Sequence, residues 1–218
     1  ESQAILIWDL LFSWVYELWN KSHHFPEHLL NQARENLHSM IEEVILGQMI
    51  DVDMMAGDPA NQELIEKKNY YKTASYTFIR PMLSGAILAN ADQKDRELVK
   101  LLGKYLGLAF QLKDDMMDIT LGDPTNSLFS DIQEGQQTYF TNYIFTYGTK
   151  EQKKLLQNAM GNRLNTNQIT DLQWAFQESW ALDAGKKLLQ EYAQKALDIV
   201  EKILFKNTLY NKFVNLFY

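Results

Sequence analysis

Apolar residues recur along nearly the whole chain at the three-and-four spacing of an α-helix, and no stretch of any length alternates as a strand would. Only four prolines and ten glycines punctuate the 218 residues. This pattern restricts the chain to an all-α fold, with helices packed on helices around a shared core. Hydrophobic residues make up 46%, enough for one domain with a sizeable core and too many for a disordered chain. The breaks set the predicted elements. Residues 5–19 read as a very apolar helix. Pro26 suits the first turn of a second helix running to about Met55, which Gly57-Asp58-Pro59 ends. Helices are predicted from about Asn61 to Tyr71, from Thr73 to Asn90, and from Asp92, as a cap, to about Asp118. Residues 122–135 form the one long irregular segment, the natural lid or substrate loop. Helices follow over 138–147, from Thr149 to about Met160, and over 169–205 as one long or two abutting segments, with Asn207 opening a short last one.

The net charge is −7 with Lys and Arg scattered, which argues against nucleic acid as a partner. An anionic diphosphate remains possible, because a divalent cation can supply positive charge locally. The chain has no cysteine, so disulfides, zinc thiolates and Cys nucleophiles are excluded, and a reducing, cytoplasmic compartment is the expectation. No apolar run reaches the roughly 18 residues of a membrane span. Residues 5–19 come nearest, but Asp9, Ser13 and Glu17 interrupt them. No basic signal peptide is present. Glu1 is not a methionine and apolar patterning starts at once, so the N-terminus reads as a cut edge.

The chemistry concentrates in FQLKDDMMDI, residues 110–119. At about 3.6 residues per turn, Asp114 and Asp118 stack on one helix face and Asp115 neighbours Asp118. Like charges this close repel, and a site that accepts the repulsion expects a cation. All-oxygen ligands favour a hard ion, and carboxylates with water and a ligand phosphate suit Mg²⁺. Gln111 lies one turn before Asp114 on the same face, where an amide can orient a metal-bound water or present its carbonyl oxygen to a cation. The histidines, His23, His24, His28 and His38, show no ligand spacing and read as solvated or capping groups. Trp8, Phe12 and Trp19 share a helix face and predict core packing; the sharper reading makes one of these rings the floor of an apolar tunnel.

The flanks extend the motif. GKYLGLAFQLKDDMMDI resembles the second aspartate-rich helix of the trans-isoprenyl diphosphate synthases, the polyprenyl synthetases. Three further blocks appear in that family's order: Gly47-Gln48 with Asp51; Lys72-Thr73-Ala74 continuing through Gly85-Ala86 to Ala89; and Ser130-Asp131-Ile132 with Glu134-Gly135 and Thr138. The resemblance covers nearly the whole chain. It implies one polyprenyl synthetase domain over residues 1–218, an isoprenoid synthase-type helical bundle around a deep central cavity, and a homodimer. It implies a Mg²⁺-dependent prenyltransferase that ionises an allylic diphosphate and condenses the cation with isopentenyl diphosphate, giving a geranylgeranyl- or farnesyl-type product. By the same resemblance Asp114 and Asp118 are the metal-side carboxylates with Asp115 beside them. Lys72 holds the allylic diphosphate, Thr73 faces the carbocation, Gln48 and Asp51 line the same cavity, and Asp131 supports the metal site from behind.

Two departures stand out. Family members commonly carry lysines where this chain has Asn126 and Gln136, two positions expected over the diphosphate. Lys104 or Lys113 is the candidate replacement. The family's first DDxxD helix should precede residues 5–19, yet no Asp-Asp pair occurs before Asp114. The domain therefore reads as lacking its N-terminal helices and first aspartate-rich motif. The same departures support a rival, a non-catalytic regulatory subunit of a heteromeric prenyl synthase. A cyclising terpene synthase would share the fold and the ionisation chemistry, but the Lys-Thr and Gly-Gln elements argue against it.

Overall fold

The computed structural model describes residues 2–22, 24–120 and 128–203, and among these residues every regular element is a helix. The chain runs through α1 (Ser2–Lys21), α2 (Glu27–Ala56), α3 (Gln62–Asn69), a π-helix (Tyr70–Ile79) and α4 (Arg80–Leu88). It continues through α5 (Gln93–Thr120), α6 (Ser130–Gln133), α7 (Tyr139–Tyr147), α8 (Lys150–Ala159), α9 (Thr166–Glu178) and α10 (Ala181–Lys202). Helix α5 is the axis, packing along the π-helix on one side and along α10 on another. The main core joins Leu108, Leu112 and Ile119 of α5 to Phe129, Phe140, Ile144, Leu156 and Phe176.

Asp92 and Thr149 cap their helices, Asp92 Oδ1 accepting from the Asp95 amide at 2.8 Å and Thr149 closing a reciprocal capping box; Thr138 and Asn165 close two further boxes. Each contributes about 1 kcal/mol by satisfying amides that have no partner in the helix itself. The predicted helix over 169–205 is two abutting helices. They meet at Trp180, whose φ of +64° is left-handed, and α10 ends at Lys202. The predicted irregular segment is partly ordered into α6; its residues 122–127, with Asn126 among them, and the expected last helix at Asn207 lie outside the described residues.

Two expectations need correction. The predicted break between Tyr71 and Thr73 does not exist: α3, the π-helix and α4 form one continuous rod, wound wide in its middle. The wide winding closes with the Arg80 amide on the Ser75 carbonyl, one residue before Pro81, which has no N–H to continue either ladder. The second correction concerns α1. Trp8 (71% exposed) and Phe12 (49%) are not core, and most apolar residues of this helix face outward, Leu6 and Leu18 included. Only its end is packed, where Trp19 lies against Ala33, Leu83 and Ile87.

Candidate active site

Close packing of three backbones sets the site. A Cβ on Gly47 of α2 would stand 2.3 Å from the Lys72 amide nitrogen, and one on Gly107 of α5 would stand 2.3 Å from Ala74 Cα. Only glycine permits both approaches. The π-helix is thus held between α2 and α5, and Thr73 reaches Gln111 on α5 while Lys72 turns to Asp51 on α2. Arg80 and Ser75 add a second tie by bonding the Glu43 carboxylate on α2, with Arg80 Nε at 2.9 Å.

The Thr73 hydroxyl donates to Gln111 Oε1 at 2.6 Å, and Gln111 Nε2 donates to Asp115 Oδ1 at 2.8 Å. Asp114 Oδ2 lies 3.5 Å from the same Gln111 nitrogen, on the exposed side. Asp115 turns inward and is buried; its Oδ2 has no hydrogen-bond partner. Asp118 is half-buried and tied to the start of α6. Its Oδ1 accepts from the Ser130 amide at 2.9 Å and the Ser130 hydroxyl at 2.5 Å, and its Oδ2 accepts from the Asp131 amide at 3.3 Å. That turn depends on Phe129, whose left-handed φ of +63° is held by a fully buried ring stacked on Phe176.

Burial pushes the Asp115 carboxyl up to about 6; the Gln111 hydrogen bond and the Lys68 charge oppose the shift, and Asp114 and Asp118 add to it. Burial, then the charges of Asp115 and Asp118, push Asp131 up to about 7, with Lys68 again opposing. Both carboxyls rise above their ordinary value of 3.8, so the unfolded chain gives up these protons first. Their stabilisation is complete below 3.8 and is lost as pH rises towards 7. In metal-free protein, unfolding free energy from denaturant titrations is therefore expected to fall across this window. Asp131→Asn should flatten the fall; an equal slope in that variant would refute it.

On α2, Asp51 is fully buried. Lys72 Nζ sits 2.5 Å from its Oδ2, and Lys68 Nζ sits 3.3 Å from its Oδ1. Gln48 is exposed and lines a surface recess with Ile45, Met49 and Val52. Gln136 Nε2 donates to Glu134 Oε2 at 2.8 Å. Neither proposed replacement lysine is placed at the acidic cluster: Lys104 pairs with Glu66 at 3.2 Å, and Lys113 lines a groove of about 730 Å³ between α5 and α10. The spacing of Leu106, Ala109, Lys113 and Thr120 puts that mostly apolar groove on the other side of α5 from Gln111 and Asp115. Sequence reasoning missed Lys68, Ser130 and Gln137. Ser130 carried a signal, since a serine opening a helix after an acidic run is a ready donor to it; Lys68 reads as one more charge in EKKNYYK.

Among the described residues, no three His, Cys, Asp or Glu side chains form a ready-made metal cage. The donors present still fit Mg²⁺, which binds one or two carboxylates and takes its other ligands from water and phosphate. The buried, unpartnered Asp115 Oδ2 marks a site that is short of positive charge.

Known proteins resemble this chain over most of its length. The chain is 27% identical over 216 residues to a geranylgeranyl diphosphate synthase of Sulfolobus acidocaldarius, covering 96% of this chain and 64% of the relative. It is 30% identical over 176 residues to a short chain isoprenyl diphosphate synthase of Methanocaldococcus jannaschii, covering 75% of this chain and 49% of the relative. The crystal structure of a geranylgeranyl pyrophosphate synthase from Corynebacterium glutamicum, complexed with isoprenyl diphosphate and magnesium, has the same fold. Its TM-score is 0.90 at 22% identity, over 99% of this chain and 62% of that one. The chain thus spans less than two thirds of the length of each. Residues 1–179 match the sequence model of the polyprenyl synthetases, and with most of its length so matched the chain belongs to the polyprenyl synthetase family.

Proposed function

We propose that this chain carries the second aspartate-rich half of the site of a Mg²⁺-dependent trans-prenyltransferase, which joins an allylic diphosphate to isopentenyl diphosphate and makes a geranylgeranyl- or farnesyl-type product. The observation that carries the reading is the contact of Thr73 with Gln111, which joins two blocks 38 residues apart in sequence beside the carboxylates of α5. Mg²⁺ bound by Asp114 and Asp118 would neutralise the diphosphate as its bond to carbon breaks. Lys72 would hold that diphosphate, and Asp51 fixes its ammonium. Thr73 and Gln111 present oxygens where positive charge develops on the allylic carbon. Asp131 supports this edge from behind Asp118, while Gln48, Asn126 and Gln136 are assigned to the substrate side by resemblance alone. The exposed apolar faces of α1 suit the homodimer that the resemblance implies, and the cysteine-free composition suits the cytoplasm.

The test is a condensation assay with farnesyl diphosphate and labelled isopentenyl diphosphate, with and without Mg²⁺, in protein that includes a first aspartate-rich motif. The expected result is a Mg²⁺-dependent C20 product. Diphosphate binding without turnover would overturn the catalytic reading in favour of the regulatory subunit. Lys72→Ala should weaken diphosphate binding about tenfold, the order of one charge-assisted contact to phosphate. It should also lower the melting temperature, because it leaves buried Asp51 with one cation instead of two. Unchanged binding would make Lys72 purely structural.

A further inference from the structure

Negative charge gathers at Asp114, Asp115, Asp118 and Asp131, while the chain carries Asn126 and Gln136 at two positions where lysine was expected. Among the described residues, the charge of Lys68 acts on Asp115 and Asp131; Lys68 lies one turn before Lys72 and its side chain is only 5% exposed. Its ammonium donates to the Gln137 carbonyl at 2.8 Å and lies 3.3 Å from Asp51 Oδ1. The Gln137 backbone is itself pinned: its side chain accepts from the Ala60 amide at 2.6 Å and donates to the Met54 carbonyl at 2.5 Å. A lysine costs much to bury without a partner, so this pocket is built for a charge.

The count of charges gives the pocket a purpose. Asp51 lies between two ammonium groups, so the trio carries a net charge of +1. Were Lys72 the only partner of Asp51, the two would cancel, and a neutral pair holds an anion poorly. We infer that Lys68 is a positioning residue for diphosphate: by sharing Asp51, it leaves the Lys72 ammonium with uncompensated charge to meet the substrate. The inference rests on Lys72 being the diphosphate ligand. It explains why a buried lysine stands one turn behind a site lysine, and it supplies from inside the fold charge that Asn126 and Gln136 do not.

The test is a charge cycle read by calorimetric titration of inorganic diphosphate into the full chain at fixed Mg²⁺. Lys68→Met, which keeps the volume, should weaken binding roughly tenfold per unit charge removed. Asp51→Asn should tighten binding by a similar factor. The double variant Asp51→Asn/Lys68→Met restores the net charge of +1 and should bind as the wild type does, and Lys68→Arg should also retain affinity. A purely structural Lys68 gives the opposite result, with the double variant binding no better than Lys68→Met. If Lys68→Met fails to fold, the double variant, which removes both buried charges, and Asp51→Asn decide the matter alone. Wild-type binding that Lys68→Met leaves unchanged overturns this inference only. Wild type that binds no diphosphate overturns the reading of Lys72, and this inference with it.

Discussion

Asp114→Ala should lower kcat by about 10²-fold or more, in protein that includes a first aspartate-rich motif, while the melting temperature stays near wild type. The scale is that of losing one major electrostatic stabiliser of a developing anion. The structure separates the three aspartates of α5 by what holds them. Asp115 is buried against Gln111, and Asp118 is engaged by Ser130 and the Asp131 amide. Asp114 is the exposed member of the trio, placed where a cation and its phosphate ligands can approach from solvent. Its side chain is exposed, and a substitution at an exposed helix position usually changes stability little. Steady-state kinetics across a Mg²⁺ titration, with circular dichroism melts alongside, measure both quantities. Near-normal turnover in folded protein would refute the assignment.

A second large effect is expected at a residue that touches no substrate. Gly107→Ala should destabilise the protein by about 1–3 kcal/mol, the range for overpacking. The new methyl would fall 2.3 Å from both Cα and Cβ of Ala74, and a backbone atom cannot swing aside as a side-chain tip can. In a domain of this size that corresponds to a fall in melting temperature of roughly 2–4 °C per kcal/mol. The strain lands next to Thr73, so its bond to Gln111 should loosen and kcat should fall as well. Gly85→Ala is the control. Nothing lies within 4 Å of a Cβ there, and in the interior of α4 alanine should be neutral or stabilising by up to about 1 kcal/mol. Equal melting temperatures for the two variants would mean that the seam between α5 and the π-helix is looser than its geometry shows.

Much of the fold is legible in the sequence because it is encoded locally. The caps at Asp92 and Thr149 are short-range hydrogen bonds between near neighbours, so residue type and position suffice. The shared face of Gln111, Asp114 and Asp118 follows from helical spacing alone. What the sequence conceals is decided at long range. The π-winding depends on backbones 25 and 33 residues away, at Gly47 and Gly107, pressing on Lys72 and Ala74. Lys68 is buried because α2 and the segment before α7 close over it, and nothing within one turn of it signals that. Trp8 and Phe12 show the converse. Their spacing establishes an apolar helix face but not what covers it, and the face is open.

The π-helix has a further consequence for how this chain can vary. A wide turn holds more residues than an α-turn of the same role, so the rod from Gln62 to Leu88 stores a surplus in its register. Excising one residue just before Lys72 would let the rod rewind towards an ordinary α-helix and remain a helix. Everything upstream would then be turned by about 100° relative to everything downstream, the angle of one residue in an α-helix. Lys68 would leave Asp51, or Thr73 would leave Gln111, since the rewound rod could not serve both. Single-residue insertions and deletions are thus barred from this rod by phase rather than by stability.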